Sequence, residues 1–383
     1  MENDNFKKAL ILLFPISLFW NFMFAVVPIY LSEIGFSGYE IGILAAIYAI
    51  SSIFVSFPTG FVNDRWTIRL TLVIGIIFIS SFFLGIGFLE SFVIFMPLYF
   101  LGGLGYNMGL VSIRTLVYKT RMEGREGNKF GIYNFVNTTA ASIGLVIGGL
   151  LILILEFSLA LKVIGIIYLL LIPLVSFRPI TKYRVKLSEY KKDFLDRKVI
   201  LLGIIIFIFT LHWGAEATSF GLFLRNNLGL DMFLIGLYTG ISLFSLGLTA
   251  YFFGKRIDRG KSNMKNVFIA GMIISGVFHI LHTVPIPWLS FILRIPHEIG
   301  DGMTLIAIYF WVSKLFGVKR IGGDSSIMFT VTLLGHVVGS LIFGPIGYHL
   351  GYHIPLIISG VTNILSAFLL IAFVKAFKVR ETY

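Results

Sequence analysis

The sequence GFVNDRWTIR at residues 60–69 returns at residues 254–263 as GKRIDRGKSN. Both stretches have the form Gly-x-x-x-Asp-Arg followed by further cations, and both lie between long apolar runs. The copies are 194 residues apart, and the shared positions are Gly60, Asp64 and Arg65 in the first and Gly254, Asp258 and Arg259 in the second. A charged loop that recurs at the same place indicates a chain built from two related halves.

The composition is that of a membrane protein. Of the 383 residues, 57% are hydrophobic and only 13% are charged, which would leave a soluble protein with far too much exposed apolar surface. Twelve apolar segments each approach the roughly 20 residues that cross about 30 Å of hydrocarbon as a helix. Segments 1 to 12 cover about residues 9–32, 39–62, 70–89, 91–118, 130–155, 157–177, 199–224, 232–253, 266–284, 286–313, 325–349 and 353–374. The sequence therefore predicts an all-α membrane protein with twelve transmembrane helices.

The net charge of +12 is explained by topology. With a cytoplasmic amino terminus, 27 of the 31 Lys and Arg residues fall at the two termini or in loops on that same side. Cytoplasmic loops of membrane proteins carry such an excess of cations. We therefore predict that both termini are cytoplasmic, that the chain is a multi-pass protein of the cell membrane, and that nucleic acid is not a partner.

The duplicated loop resembles the signature loop of the major facilitator superfamily. The resemblance implies two pseudo-symmetric six-helix halves with the substrate site near the bilayer midplane between them. We accordingly predict an N-terminal half at residues 1–177, a polar cytoplasmic linker at residues 178–198 and a C-terminal half at residues 199–383.

The resemblance also implies a role for the loops as a conformational latch. Glycine lets a helix end approach its neighbour closely, and an aspartate four residues later can accept hydrogen bonds from a helix amino terminus and from arginine. In the family this contact holds the outward-facing state. We assign the latch to Gly60, Asp64, Arg65, Gly254, Asp258 and Arg259, against the alternative that these are ordinary solvated loop charges.

Segment 5 partly resembles the antiporter motif of drug and proton exchangers. Its small-residue series contains Gly131, Gly144, Gly148 and Gly149. Ala140 stands where the motif has glycine and Leu145 stands where it has proline. Because small residues at this spacing also serve ordinary close packing of helices, both interpretations stay open.

Ionisable residues lie inside two apolar segments of the C-terminal half. Segment 7 contains His212 and Glu216, and segment 10 contains Arg294, His297, Glu298 and Asp301. The spacings place each set along one helix face, and charges inside a membrane need partners or a wet cavity. We expect Glu216 to pair with Arg294, which leaves Glu298 and Asp301 without an obvious cation and suited to carry protons. A structural, inert network is the alternative.

Several uncharged or weakly basic residues are further candidates. Asn21, Asn107 and Asn137, together with His212 and His297, are predicted to bind substrate, although the asparagines could merely join helices. His279 and His282 lie near the outer end of segment 9 and are expected to be interfacial.

These observations predict a secondary transporter that works by alternating access and exports a small, partly apolar compound in exchange for protons. Cationic character of that compound stays open. The alternatives are a divalent metal carrier that uses the histidines and carboxylates, and a nontransporting sensor; no constellation of nucleophile and base indicates an enzyme. No cofactor and no resident metal is predicted, and the expected partners are the substrate, protons and the lipid bilayer, with a monomeric protein.

Overall fold

The computed structural model describes residues 2–120, 122, 124–176 and 183–377, and its secondary structure is helical, with no strand among those residues. The helices are α1 Glu2–Glu33, α2 Gly38–Arg65, α3 Ile68–Phe88, α4 Phe92–Lys119, α5 Glu126–Ile154, α6 Phe157–Leu170, α7 Leu187–Phe194, α8 Arg197–Ala215, α9 Met232–Asp258, α10 Met264–Leu281, α11 Pro287–Leu315, α12 Ile321–Leu350 and α13 His353–Phe377. The linker residues 178–182 and the cations Arg121, Lys378 and Arg380 lie outside the described residues.

Each predicted apolar segment overlaps one helix, and segment 7 continues beyond α8 into further helical turns. Helix α7 is a short helix within the predicted linker. Within the described part of the chain, ten helices are long and apolar enough to cross a membrane by length and composition. Helices α1 and α11 are not among the ten, and α11 is the helix that carries the four ionisable residues of segment 10. The all-α membrane fold is confirmed, whereas the count of twelve spans and the cytoplasmic termini stay predictions.

The chain falls into two compact units. Unit 1 consists of Met1–Arg121, Ala140–Lys191 and Phe316–Thr330, and unit 2 consists of Met122–Thr139, Lys192–Leu315 and Val331–Tyr383. Helices α5 and α12 therefore each contribute residues to both units. The division into halves at residues 1–177 and 199–383 stays a prediction.

The two units repeat one packing pattern. In unit 1, α4 packs against α2 and α3, and α3 packs against α6; in unit 2, α11 packs against α9 and α10, and α10 packs against α13. Equivalent glycine pairs allow close approaches in both units: a Cβ at Gly75 would lie 2.8 Å from the carbonyl oxygen of Gly105, and one at Gly271 would lie 2.8 Å from that of Gly300. The sequence repeat thus extends to helix packing.

Helix α8 does not end as an α-helix. It continues as π-helical turns at Glu216–Phe220 and Phe223–Asn227, in which each turn accommodates an additional residue. The stretch is held by apolar packing, because Phe220 and Phe223 are buried against Phe343 and Leu356. The widened turns therefore begin at Glu216, one of the predicted site residues.

Candidate functional site

A cluster of buried ionisable side chains lies in unit 2, and we call it the polar cluster. Seven of its members are at most 4% exposed, and Glu216 alone keeps appreciable exposed surface, with 20% of its side chain accessible. Burial of so many polar groups is costly unless each finds a partner. The members are His212 and Glu216 in α8 and its continuation, His279 and His282 in or next to α10, and Arg294, His297, Glu298 and Asp301 in α11.

Arg294 connects two carboxylates. Its Nη1 atom lies 2.7 Å from Glu216 Oε1, and its Nη2 atom lies 2.7 Å from Glu298 Oε1. The guanidinium also stands over the ring of Phe220, 4.2 Å from its centroid. The expected pair of Glu216 and Arg294 is present. The expectation that Glu298 lacks a cation is wrong, because the planar fork of one guanidinium reaches both carboxylates.

Asp301 is held by neutral hydrogen-bond donors and an imidazole. Its Oδ2 atom lies 3.1 Å from both His212 Nε2 and Trp213 Nε1, and its Oδ1 atom accepts a hydrogen bond of 2.6 Å from Ser275 Oγ. Asn363 of α13 in turn donates to Ser275 Oγ at 3.0 Å. Among the described contacts, Asp301 has no Lys or Arg partner, as expected, but both of its carboxylate oxygens have hydrogen-bond partners.

The imidazoles of His212 and His297 are oriented in the same way. His212 Nδ1 lies 2.5 Å from the carbonyl oxygen of Phe209, and His297 Nδ1 lies 2.9 Å from that of Ser275. A carbonyl oxygen accepts only, so these contacts assign the proton to Nδ1 and aim Nε2 at a carboxylate. For His297 that carboxylate is Glu216, whose Oε1 atom lies 3.1 Å from Nε2.

Two histidines do not lie where the sequence predicts. His279 and His282 were expected to be interfacial, but both are fully buried in the polar cluster. Their ring centroids lie 4.5 Å and 6.0 Å from that of His297. A sequence signal existed: Ser275, His279 and His282 follow one another at spacings of four and three, which places them on one face of a helix.

The cluster also contains a set of potential metal ligands. One ligand atom each of His212, Glu216 and His297 can be chosen so that the three lie within 4.8 Å of one another. The same cluster contains three carboxylates and one guanidinium: Arg294 pairs with Glu216 and Glu298, and Asp301 contacts His212. With neutral imidazoles the cluster therefore carries excess negative charge, which protons or a cation can offset.

In unit 1, the signature aspartate Asp64 closes onto the start of α12. Its two oxygens accept hydrogen bonds from the backbone nitrogens of Gly322 and Gly323, at 3.0 Å and 2.7 Å. Lys119 Nζ lies 2.8 Å from Asp64 Oδ1, and the hydroxyl of Tyr190 in α7 donates a hydrogen bond of 2.9 Å to Asp64 Oδ2. A Cβ at Gly60 would collide with the carbonyl oxygen of Gly322. We call this arrangement the Asp64 contact.

In unit 2, Asp258 closes onto the start of α5 in the same manner. It accepts hydrogen bonds from the backbone nitrogens of Gly127 and Asn128, at 2.8 Å and 2.6 Å. A Cβ at Gly254 would collide with the carbonyl oxygen of Gly127. We call this arrangement the Asp258 contact. A helix amino terminus presents unpaired N–H groups and partial positive charge, which explains why a carboxylate binds there.

Contrary to expectation, the signature arginines do not take part in these contacts. Arg65 and Arg259 are exposed, and the guanidinium of Arg65 lies over its neighbour Trp66. The cation beside Asp64 is Lys119 of α4. Adjacent residues of a helix point in different directions, so Arg65 cannot share the direction of Asp64.

The remaining predicted residues are dispersed. The Asn21 and Asn107 amides each donate to a carbonyl one turn earlier in their own helix, at 2.8 Å and 3.2 Å, and Asn137 is half-buried in α5. In α5, a Cβ at Gly131 would lie 3.0 Å from the Ala250 carbonyl oxygen, and one at Gly144 would collide with that of Leu18. These contacts fit close helix packing. Gly148 and Gly149 also lie in α5, and the antiporter role of the series stays a prediction.

The comparisons with known proteins agree with one another. The sequence profile of the Major Facilitator Superfamily matches residues 9–264 and 202–382. The quinolone resistance protein NorA of Staphylococcus aureus strain MSSA476 is 24% identical over 352 residues, which cover 88% of this chain and 89% of that protein. NorA of strain MRSA252 is 23% identical over 352 residues with the same coverage.

A solved structure shows the same fold. The human organic anion transporter MFSD10 (TETRAN) superposes with a TM-score of 0.81 at 13% sequence identity, covering 96% of this chain and 99% of that one.

Proposed function

This chain belongs to the major facilitator superfamily, and from that premise we propose that it exports a small, partly apolar compound across the cell membrane in exchange for protons. Membership makes it a membrane transporter of small molecules. The coupling ion, the direction of transport and the substrate class are our proposal.

The polar cluster is the observation that carries the proposal. Glu216, Glu298 and Asp301 are three carboxylates in a cluster with one guanidinium, that of Arg294, which pairs with Glu216 and Glu298. Such buried charge is expensive and is retained where ions or protons move. The four residues are the proposed coupling group, and loading protons onto the carboxylates would lower the excess negative charge of the cluster.

An aromatic stack in unit 1 supports an apolar substrate. Trp20 stacks with both Tyr48 and Tyr106, whose ring centroids lie 4.9 Å and 4.1 Å away. Tyr106 is partly accessible, and aromatic faces bind apolar and cationic compounds. The staphylococcal relatives are named for quinolone resistance, so aromatic antibacterial compounds are suitable first test substrates. The polar groups predicted to orient the compound are Asn21, Asn107, Asn137, His212 and His297.

Alternating access would make use of the two signature contacts. The Asp64 and Asp258 contacts each join a helix end to the amino terminus of another helix. Small interhelical contacts of this kind have two discrete arrangements, made or broken, which suits a conformational switch. We propose that both contacts are made in the outward-facing state and released on the inward swing.

The test is transport by the purified protein in liposomes. An imposed pH gradient should drive substrate accumulation by the parent protein. Neutralising the proton-carrying residue, with Asp301→Asn and Glu298→Gln tested separately, should abolish pH-driven accumulation yet preserve exchange of labelled for unlabelled substrate at equal pH, because exchange needs no net proton movement. If substrate flux by the parent protein were the same with and without the pH gradient, the proposed coupling would be contradicted.

The pairing of Glu216 with Arg294 has a separate test. Removing one partner of a buried ion pair strands the other charge and typically costs about 3–5 kcal/mol, whereas removing both costs much less. Because Arg294 also pairs with Glu298, Glu216→Gln should lower thermal stability less than Arg294→Gln, and Glu216→Gln should cost less in the Arg294→Gln background than it does alone. Additive effects in the double-mutant cycle would show that the two side chains are not coupled.

The same liposomes separate the alternatives. A divalent metal carrier would move the ion without the organic substrate, and a nontransporting sensor would bind a compound without flux. Organic substrate flux that depends on the pH gradient would exclude both as the main activity.

A further inference from the structure

The orientation of the buried histidines also suits a metal ion. We propose that His212, Glu216, His279 and His297 bind one divalent transition-metal ion of the class of Zn²⁺ or Co²⁺. The inference concerns binding alone and does not rest on the proposed function.

Two of the distances between ligand atoms are already close to those of a tetrahedral site. Zinc bonds of about 2.0–2.1 Å to nitrogen and oxygen place neighbouring ligand atoms roughly 3.3 Å apart in a tetrahedron. Glu216 Oε1 lies 3.1 Å from His297 Nε2 and 3.6 Å from His279 Nδ1. The ligand atom of His212 lies within 4.8 Å of those of Glu216 and His297.

Two of the imidazoles carry the outer contact that is characteristic of metal ligands. A metal-binding histidine usually donates its second ring N–H to a backbone carbonyl or a carboxylate, which fixes the tautomer and frees the other nitrogen. His212 and His297 do so through Nδ1, to the carbonyl oxygens of Phe209 and Ser275. The lone pair of each Nε2 then faces a carboxylate oxygen, an arrangement that needs a cation or a proton between the two.

His279 supplies an independent observation. Its Nε2 atom lies 3.1 Å from Ser359 Oγ, whereas its Nδ1 atom is buried without a hydrogen-bond partner. That Nδ1 atom is the one that faces Glu216. Buried polar atoms are rarely left unpaired, and a bound ion would satisfy this one. The Nε2 atom of the neighbouring His282 is likewise buried and has no hydrogen-bond partner, which leaves His282 as a fourth nitrogen close to the site.

Charge favours a divalent cation. Three carboxylates outnumber the one guanidinium of the cluster, so a doubly charged ion would balance it. Arg294 does not block the site, because when Glu216 turns to the ion the guanidinium keeps its contacts of 2.7 Å and 3.1 Å with Glu298.

The donor set selects the ion. Imidazole nitrogens with one carboxylate suit zinc, cobalt, nickel and copper, whereas calcium and magnesium require oxygen-rich sites. Glu216 is the ligand with exposed surface, so an ion would enter on its side.

The experiment measures metal binding to the full-length protein in detergent, purified with a tag that contains no histidine and washed with chelator. Co²⁺ is the probe, because a tetrahedral site gives intense visible absorption, and Mg²⁺ is the negative control. We expect one Co²⁺ per chain, displaced by Zn²⁺ and unaffected by Mg²⁺. His297→Gln and His279→Gln should each weaken binding by about 100-fold or more, since loss of outer contacts alone costs 10–100-fold.

The matched control is His349→Gln, because His349 is exposed and lies outside the cluster, and its variant should bind as the parent does. Size-exclusion profiles and thermal unfolding identify any variant that fails to fold. X-ray absorption on the zinc-loaded parent then decides without mutation: imidazole nitrogens at about 2.0–2.1 Å support the site.

A parent protein that binds no Co²⁺, or a zinc shell made only of oxygen, overturns the proposal. Binding that survives in both folded cluster variants also overturns it. Proton-driven export by a protein that binds no metal would refute this inference and leave the proposed function intact.

Discussion

The Asp64 and Asp258 contacts begin from the same six-residue pattern and end with different numbers of partners. Both aspartates accept two backbone N–H groups at a helix amino terminus. Asp64 is 1% exposed and also contacts Lys119 and Tyr190, whereas Asp258 is only half-buried. A duplicated motif therefore fixes the geometry of a contact, and the side chains that surround it fix its strength.

The linker helix is part of this difference. Tyr190 of α7 is buried against Phe57 and Phe61. Burial, reinforced by the charge of Asp64, raises the pKa of Tyr190 far above its ordinary value, so the phenol keeps its proton and donates a hydrogen bond to the carboxylate. Glu189 of the same helix lies 3.4 Å from Arg320. The linker thus reinforces the Asp64 contact within unit 1.

The largest expected effect is that of Asp64→Asn compared with Asp258→Asn. Asp64→Asn strands the buried ammonium of Lys119, which should cost about 3–5 kcal/mol, whereas Asp258→Asn loses charged hydrogen bonds worth about 1.5–3 kcal/mol. Spin labels on cysteines introduced at Arg65 and Lys319 would report the first contact, and labels at Arg125 and Arg259 the second. The natural chain has no cysteine. Equal changes in the two distance distributions would show that Lys119 and Tyr190 add nothing.

The next effect should be the same in both contacts. Gly60→Ala and Gly254→Ala each drive a methyl group into a carbonyl oxygen of the facing helix, and overpacking of this kind costs about 1–3 kcal/mol. Thermal unfolding measures the loss, and Gly42→Ala is the control because a Cβ there meets nothing within 4 Å. Losses no greater than that of the control would mean that the helix ends are not closely packed.

Tyr190→Phe should have a smaller effect that is confined to the Asp64 contact. The variant keeps the ring and removes one hydrogen bond to a buried carboxylate, with an expected cost of about 1–3 kcal/mol. The distance distribution between labels at Arg65 and Lys319 should broaden, and that between Arg125 and Arg259 should not change. Tyr183→Phe, in the same linker, is the control; an equal response to both substitutions would assign the effect to the linker as a whole.

The smallest effects are expected for Arg65→Gln and Arg259→Gln. Both side chains are exposed, and surface substitutions away from specific contacts usually change stability by no more than about 0.5 kcal/mol. Unfolding temperature and transport rate should both stay near the parent values. A strong loss of transport in either variant would show that the substituted arginine does contribute to the latch.

The sequence predicted the residues of the site better than their partners. Helical periodicity placed Arg294, His297, Glu298 and Asp301 on one face of α11, and the structure agrees, because all four are buried in the polar cluster. That Arg294 would reach both Glu216 and Glu298 depends on the distance between two helices, which no local pattern encodes.

The errors have physical causes. His279 and His282 were assigned by their distance from the end of an apolar segment, although burial depends on which helix packs over a face, and here α11 covers it. Lys119 was missed because its contact with Asp64 joins α4 to α2, two helices that meet only in the folded protein.

The order in which the chain is made separates the two contacts once more. The donors Gly127 and Asn128 precede Asp258 by about 130 residues, so they are already available when that aspartate is synthesised. Asp64 must instead wait for Gly322 and Gly323, 258 and 259 residues later. At roughly 5–20 residues per second the ribosome needs on the order of ten to fifty seconds to reach them. Throughout that interval the carboxylate of Asp64 lacks its backbone donors, and unit 1 is incomplete until the start of α12 has been made.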